Sequence, residues 1–218
     1  ADVAEQYGVR RFGFHGISFA YVAGEAARFL GRPLAELKII VLHLGNGASA
    51  CAIDGGRSVE TSMGLTPLEG LMMGTRGGAI DPGVLIHLQR EAGLSADALN
   101  TLLNHGSGLL GLGGFGDIRD VQKAATAGDE RATLAIEVYE HRIRGYVGAY
   151  LAQLGRIDAI VFTAGVGENN APVRAGALAG LDGLGIRINP ESNEAASRDA
   201  RIISTPSIKT LRSSGSVR

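Results

Sequence analysis

The sequence predicts an α/β protein, and three observations carry that prediction. A short β-branched run, Lys38-Ile39-Ile40-Val41-Leu42-His43-Leu44, opens a series of three strand candidates separated by glycine turns. Ile136, Tyr139, Ile143, Tyr146, Tyr150 and Leu154 then recur every three or four residues, the spacing of a long amphipathic helix. Directly after it, Ala159-Ile160-Val161-Phe162-Thr163 reads as a buried strand.

The elements follow in order. Residues 18–30 predict a helix, with Ser18 as its N-cap and Tyr21, Val22, Glu25, Ala26 and Phe29 on one helical spacing, stopped by Gly31-Arg32-Pro33. The β-branched run ends in Gly45-Asn46-Gly47. Residues 48–53 can form a second strand, Asp54-Gly55-Gly56 a tight hairpin turn, and residues 57–63 a third strand, making an antiparallel meander. Asp81-Pro82 places an N-cap before a proline at the first helical position, opening a helix to Arg90. Residues 95–104 predict another helix. A glycine-rich stretch at 106–116 leads into Asp117-Ile118-Arg119-Asp120, and Gly155 ends the long helix. The strand at 159–163 runs into the glycine loop Gly165-Val166-Gly167-Glu168-Asn169. Residues 172–181 return to helix, and 186–188 and 201–203 read as short strands. Residues 1–206 are taken as one domain. Residues 207–218, with Ser213-Ser214-Gly215-Ser216 and no helix or strand to finish the sheet, read as a divergent or truncated tail.

Composition narrows the function classes. Hydrophobic residues make up 45% of the chain and charged residues 20%, enough to build a buried core. Glycine is the outlier, at 33 of 218 residues, about twice the usual share of ~7%. So many glycines between apolar runs imply loops where backbone amides approach something closely. The net charge of −1 lacks the basic footprint of a nucleic-acid or anionic-membrane binder. Cys51, the lone cysteine, cannot form an internal disulfide, which fits a reducing cytoplasm. No run reaches the ~18 apolar residues of a membrane span, and the N-terminus lacks a signal-peptide pattern. A soluble cytoplasmic protein is expected.

One design occurs twice: an apolar strand ending in a glycine-rich turn that carries an asparagine. The two copies are His43-Leu44-Gly45-Asn46-Gly47 and Thr163-Ala164-Gly165-Val166-Gly167-Glu168-Asn169. Glycine lets exposed backbone N–H groups converge on an anion, and the adjoining amide side chain adds a directed donor. A single loop of this kind is common. Two of them, bracketing a helical region, point to a two-loop nucleotide cradle. Neither is a Walker A loop, because no Gly-Lys-Ser/Thr is present.

A longer series of motifs resembles the acetokinase family, which includes acetate, propionate and butyrate kinases. The series begins with Arg11-Phe12-Gly13-Phe14-His15-Gly16, His43-Leu44-Gly45-Asn46-Gly47 and the highly specific Thr61-Ser62-Met63-Gly64-Leu65-Thr66-Pro67-Leu68-Glu69-Gly70. It continues through Met73-Gly74-Thr75-Arg76, Asp81-Pro82, Gly108-Leu109-Leu110-Gly111, Asp117-Ile118-Arg119-Asp120 and Phe162-Thr163-Ala164-Gly165-Val166-Gly167-Glu168-Asn169. The motifs stand in family order over roughly residues 10–206. One departure is Phe19, where the family usually has a second histidine.

The resemblance implies a ribonuclease H-like domain of the actin, sugar-kinase and Hsp70 type, with a mixed sheet and helices on both faces. It implies reversible transfer of the ATP γ-phosphoryl group to a short-chain carboxylate, with Mg²⁺ bridging the phosphates of ATP or ADP. The partners implied are ATP/ADP, the carboxylate and a second copy of the chain as a homodimer, with neither nucleic acid nor membrane. Catalysis would rest on His15 and Arg76. Arg76 matches the arginine that contacts the transferring phosphoryl group, where a planar guanidinium can pair with several oxygens. Alone, it would read as a surface arginine in a glycine-rich loop.

His43 matches a position beside the phosphates, and Leu44, Gly45, Asn46 and Gly47 the turn that contacts them. Asp117, Ile118 and Arg119 match the segment against the adenosine, although Asp117 and Arg119 also read as a solvated salt pair at a helix start. Gly165, Val166, Gly167, Glu168 and Asn169 match the second cradle loop. The resemblance assigns no metal ligand within this chain. The family's N-terminal domain, which supplies the carboxylate pocket, has no counterpart here, nor has its Pro-Thr-Asn-Glu-Glu motif, in whose place stands Arg212-Ser213-Ser214-Gly215-Ser216-Val217-Arg218. Acetate kinase is the leading reading. Propionate kinase, or an inactive nucleotide-binding or dimerising module, remains open.

Overall fold

The computed structural model describes residues 2–196, 199–205 and 208–213. Helices α1 (Asp2–Gln6) and α2 (Gly16–Leu30) precede the meander β1 (Lys38–Leu44), β2 (Ala48–Asp54) and β3 (Arg57–Thr61). Then come α3 (Pro82–Glu91), α4 (Ala96–His105), α5 (Gly108–Gly113), α6 (Ile118–Thr126) and the 25-residue α7 (Glu130–Leu154). β4 (Ala159–Thr163) runs into α8 (Ala164–Asn169) and α9 (Ala171–Leu178), followed by α10 (Pro190–Glu194), β5 (Arg201–Ile202) and β6 (Lys209–Arg212).

The six strands form one mixed sheet in the order β3-β2-β1-β4-β6-β5. The meander is antiparallel, whereas β1–β4 and β4–β6 are parallel. The sheet is covered on both faces, and strand alternation decides which residue goes where. Ile40, Leu42 and Leu44 of β1 join Ile160 and Phe162 of β4 against α7 and α9. Ile39, Val41, Ala159 and Val161 face the opposite way, against Phe19, Val22, Ala23, Ala26 and Ala27 of α2. This is the α/β arrangement expected from the sequence, a mixed sheet flanked by helices.

Helix α7 is long because both its ends are specified. The Asp129 carboxylate accepts from the amides of Arg131 and Ala132, and Gly155 takes the left-handed conformation at φ 71° to close the other end. Between them, Ala132, Ala135, Tyr139, Ile143, Val147, Tyr150 and Leu154 form one buried stripe. Each large side chain in such a stripe contributes ~1.5–3 kcal/mol by leaving water.

Several boundaries differ from expectation, each for a local reason. Helix α2 begins at Gly16, not after Ser18, because His15 turns the chain in at φ 64°. The Ser18 hydroxyl is free of capping duty and bonds a histidine of β1 instead. The glycine stretch at 106–116 contains α5, where a Cβ at Gly113 would stand 3.1 Å from the Ala135 Cβ, so glycine permits close packing on α7. The segment Gly165-Val166-Gly167-Glu168-Asn169 is helical, not a loop. The Glu168 carboxylate folds back to accept from the Ala164 amide at 3.2 Å and the Thr163 hydroxyl at 3.1 Å.

Strand β3 stops at Thr61 and α9 at Leu178. Of the strand expected at 186–188, only one bridge forms among the described residues, Ile188 to Ser204, because Asn189 immediately caps α10 by accepting from the Ser192 amide. Part of the region read as a divergent or truncated tail, without a helix or strand to finish the sheet, supplies β6, which lies between β4 and β5. Residues 207 and 214–218 of that reading lie outside the described residues, as does residue 206 of the domain.

Candidate active site

Because β1 and β4 are parallel neighbours, with Leu42 opposite Phe162 and His43 opposite Thr163, their C-terminal ends deliver two turns to one edge of the sheet. Such an edge is where open α/β sheets place their ligands. A cleft of about 540 Å³ opens there. Gly45 and Asn46 come from the first turn, and Gly165, Val166 and Asn169 from α8. Asp117, Ile118 and Arg119 form the wall at the start of α6, Gly74, Leu109 and Gly116 close the side, and Tyr139 and Asn170 complete the lining.

The walls are held by named contacts. The Gly74 amide donates to the Asn46 carbonyl at 3.2 Å. A Cβ at Gly74 would collide with the Asn46 side-chain oxygen and stand 2.5 Å from the Gly116 carbonyl, so only glycine lets these three segments converge. Asn170 caps α9 and exchanges two amide hydrogen bonds with Gln122 of α6, at 3.0 and 2.7 Å, tying the two sides together. Asp117 caps α6 by accepting from the Arg119 amide and pairs with the Arg119 guanidinium at 2.5 Å. Those hydrogen bonds hold the Asp117 carboxyl down at about 2. The pair is a salt pair at a helix start, and both residues line the cleft.

Beside the cleft, the segment around Asn46 meets a second group of residues. The rings of His15 and His43 stack at 3.9 Å with 13° between their planes. His15 Nδ1 lies 2.7 Å from the Ser49 hydroxyl, and His43 Nδ1 lies 2.9 Å from the Ser18 hydroxyl. Burial lowers the pKa of His15 and the nearby Arg76 charge lowers it further. Burial, with His15 alongside, takes His43 down to about 4. Phe19, where the family usually has histidine, is buried in the α2 core and meets the His15 ring edge-on at 6.3 Å. Arg76 is half-buried and donates to the Pro67 carbonyl at 2.5 Å. A Cβ at Gly47 would stand 2.7 Å from its Nη2, so that glycine gives the guanidinium room.

Of the residues singled out in the sequence, Gly45, Asn46, Asp117, Ile118, Arg119, Gly165, Val166 and Asn169 line the cleft together. His43, Leu44, Gly47, Gly167 and Glu168 do not. Leu44 is wholly buried in the sheet core, Gly167 packs against Phe162, and the Glu168 carboxylate is used inside its own helical turn. His15 and Arg76 lie with His43 beside the cleft rather than in its lining.

Sequence reasoning missed Gly74, Leu109, Gly116, Tyr139 and Asn170 as lining residues, although Gly74 and Leu109 fall inside recognised motifs. It also missed Arg174, which is 2% exposed and braces α8 from behind. Its guanidinium donates to the carbonyls of Gly167 at 3.0 Å and Glu168 at 2.9 Å, and to the side chain and carbonyl of Asn193, both at 2.7 Å. An arginine within an otherwise apolar helix was the only signal available.

The acetokinase family model matches residues 1–212. The chain belongs to the acetokinase family. An acetate kinase of Leifsonia xyli subsp. xyli is 62% identical over 204 residues, covering 94% of this chain and 51% of that protein. One of Streptomyces coelicolor is 56% identical over 202 residues, covering 93% and 50%. The crystal structure of Porphyromonas gingivalis acetate kinase superposes with a TM-score of 0.94 at 43% identity, over 97% of this chain and 54% of that one. A propionate kinase from Francisella tularensis subsp. tularensis gives 0.90 at 39% identity, over 97% and 54%. The chain thus spans about half the length of the acetokinases it matches.

Among the described residues, no three or more His, Cys, Asp or Glu are grouped to hold a metal ion. Among the same residues, no helix is long and apolar enough to cross a membrane.

Proposed function

We propose that this chain is the nucleotide-binding half of an acetate kinase, a cytoplasmic homodimer in its whole form. The observation that carries the proposal is the convergence of two strand ends, the start of α6 and Gly74 on one cleft beside His15, His43 and Arg76. In the forward reaction a carboxylate oxygen of acetate attacks the γ-phosphorus of ATP. The bond from that phosphorus to the β-bridging oxygen breaks, and acetyl phosphate and ADP leave. The cleft takes the adenosine, with Gly165 offering open space where a side chain would otherwise project. Asn46 and the turn around it lead from there to Arg76, whose guanidinium suits the equatorial oxygens of the transferring group. Mg²⁺, which usually keeps several waters and binds through substrate phosphates plus one or two carboxylates, would neutralise phosphate charge and arrive with the nucleotide. The acceptor pocket belongs to the other half of the protein.

The test is a chimera in which an acetate kinase relative supplies the flanking segments around residues 2–212. Hydroxamate trapping of acetyl phosphate should detect turnover, with acetate preferred to propionate. Arg76→Ala in the chimera should lower kcat ~10³–10⁵-fold with little change in nucleotide KM. A folded chimera with no turnover contradicts the proposal. A raised KM with kcat intact would reduce Arg76 to ground-state phosphate binding.

A further inference from the structure

Hydrogen bonding decides where the His15 ring of the stacked pair carries its proton. A neutral imidazole has one N–H donor and one acceptor nitrogen, and the partner of one nitrogen decides the tautomer. Ser49 belongs to β2, opposite His43 in the register of the sheet, and is 0% exposed. Among the described residues, its hydroxyl has a single hydrogen-bond partner, His15 Nδ1 at 2.7 Å. If Nδ1–H donated to that oxygen, the serine proton would be left buried without an acceptor, at a cost of ~1–3 kcal/mol. If the hydroxyl donates to Nδ1, both groups are satisfied and the ring proton sits on Nε2.

Neither histidine Nε2 has a protein partner among the described residues. His15 is also held in the left-handed conformation at φ 64°, an uncommon state for a residue with a side chain, which aims the ring from the very start of α2 into the stack. The same pairing recurs one ring away, where the half-buried Ser18 hydroxyl lies 2.9 Å from His43 Nδ1.

We propose that Ser49 is a positioning residue that donates its hydroxyl proton to Nδ1 of His15, locking that ring in the Nε2–H tautomer beside Arg76. The site then presents two different donors to an incoming phosphate. Arg76 brings a fixed positive charge, and His15 brings an uncharged N–H whose direction is set from the sheet. The use of that N–H on a phosphoryl oxygen rests on the function proposed above, but the tautomer does not.

Histidine-selective ¹⁵N labelling of this chain, read by long-range ¹H–¹⁵N correlation at pH 7.5, separates the two. The wild-type His15 ring should show a protonated Nε2 and an unprotonated Nδ1. Ser49→Ala should remove the lock and give tautomer exchange or the Nδ1–H form, and Ser49→Thr should restore the wild-type pattern. A wild-type His15 protonated on Nδ1, or a folded Ser49→Ala chain with unchanged ring shifts, overturns the proposal. Adding MgADP to the same samples tests the functional reading separately. If the tautomer is as stated and no resonance moves, the lock stands and the nucleotide site falls.

Discussion

At the scale of single residues, the site depends on side chains that are absent as much as on those present. Gly74 is the sharpest case, since its missing Cβ is what lets Asn46 and the Gly116 carbonyl approach from two sides. Gly74→Ala should therefore cost ~1–3 kcal/mol in urea unfolding, the usual range for overpacking, and should weaken nucleotide binding at least tenfold. Gly145 in α7 is the control, because a Cβ there would meet nothing within 4 Å. Gly145→Ala should gain ~0.5–1 kcal/mol from helix propensity and leave binding alone. Equal behaviour of the two variants would contradict the packing account. The composition already pointed to glycines at close approaches. It could not say which of the 33 mattered, since that depends on loops distant in sequence.

At the scale of elements, most of what has a period or a cap was legible. The meander, α7 and β4 followed from alternation, three-to-four spacing and a buried apolar run. Asp81, Ser95 and Gly155 marked helix ends where the structure uses them. The short helices α5 and α8 were hidden by glycine, whose low propensity masks a helix that tertiary contacts impose. β6 was misread because its neighbours in the sheet, β4 and β5, are separated from it by intervening chain. Ser49, and all but the bare oddity of Arg174 in an apolar helix, escaped the sequence for the same reason: their partners lie on other elements.

One element also carries a titration. Burial against α9 pushes Glu140 of α7 up to about 7, with Arg144 partly offsetting and Glu137 adding to it. The folded state therefore binds this proton more tightly than the unfolded chain. Its contribution is fully present below pH 4.5 and is lost as pH rises through about 7. His43 works in the opposite sense, its contribution falling away below 6.5 toward about 4. Because His43 is common to both proteins, it cancels in a comparison with Glu140→Gln. The stability difference from wild type should move in favour of Glu140→Gln as pH rises from 4.5 to 7.5, read as urea midpoints. A difference constant with pH would remove the titration from the account.

At the scale of the whole molecule, a six-stranded mixed sheet is packed by α2 on one face and α7 on the other, and the candidate cleft opens at the edge where β1 and β4 end. The cleft wall assembles from segments around residues 45, 74, 117 and 165, so the site exists only once the fold does. The order of family motifs announced this convergence in one dimension, while the division between cleft lining and the adjacent His15–His43–Arg76 group needed three.

If the cleft is a nucleotide site, this chain, which spans about half the length of its acetokinase relatives, binds adenine nucleotide by itself. Isothermal calorimetry of the chain with MgADP, on protein shown to be folded by circular dichroism, tests it most directly. Saturable heat with one site per chain is expected, weakened at least tenfold in Gly74→Ala and kept in Gly145→Ala. No heat at millimolar MgADP from a folded chain would contradict it.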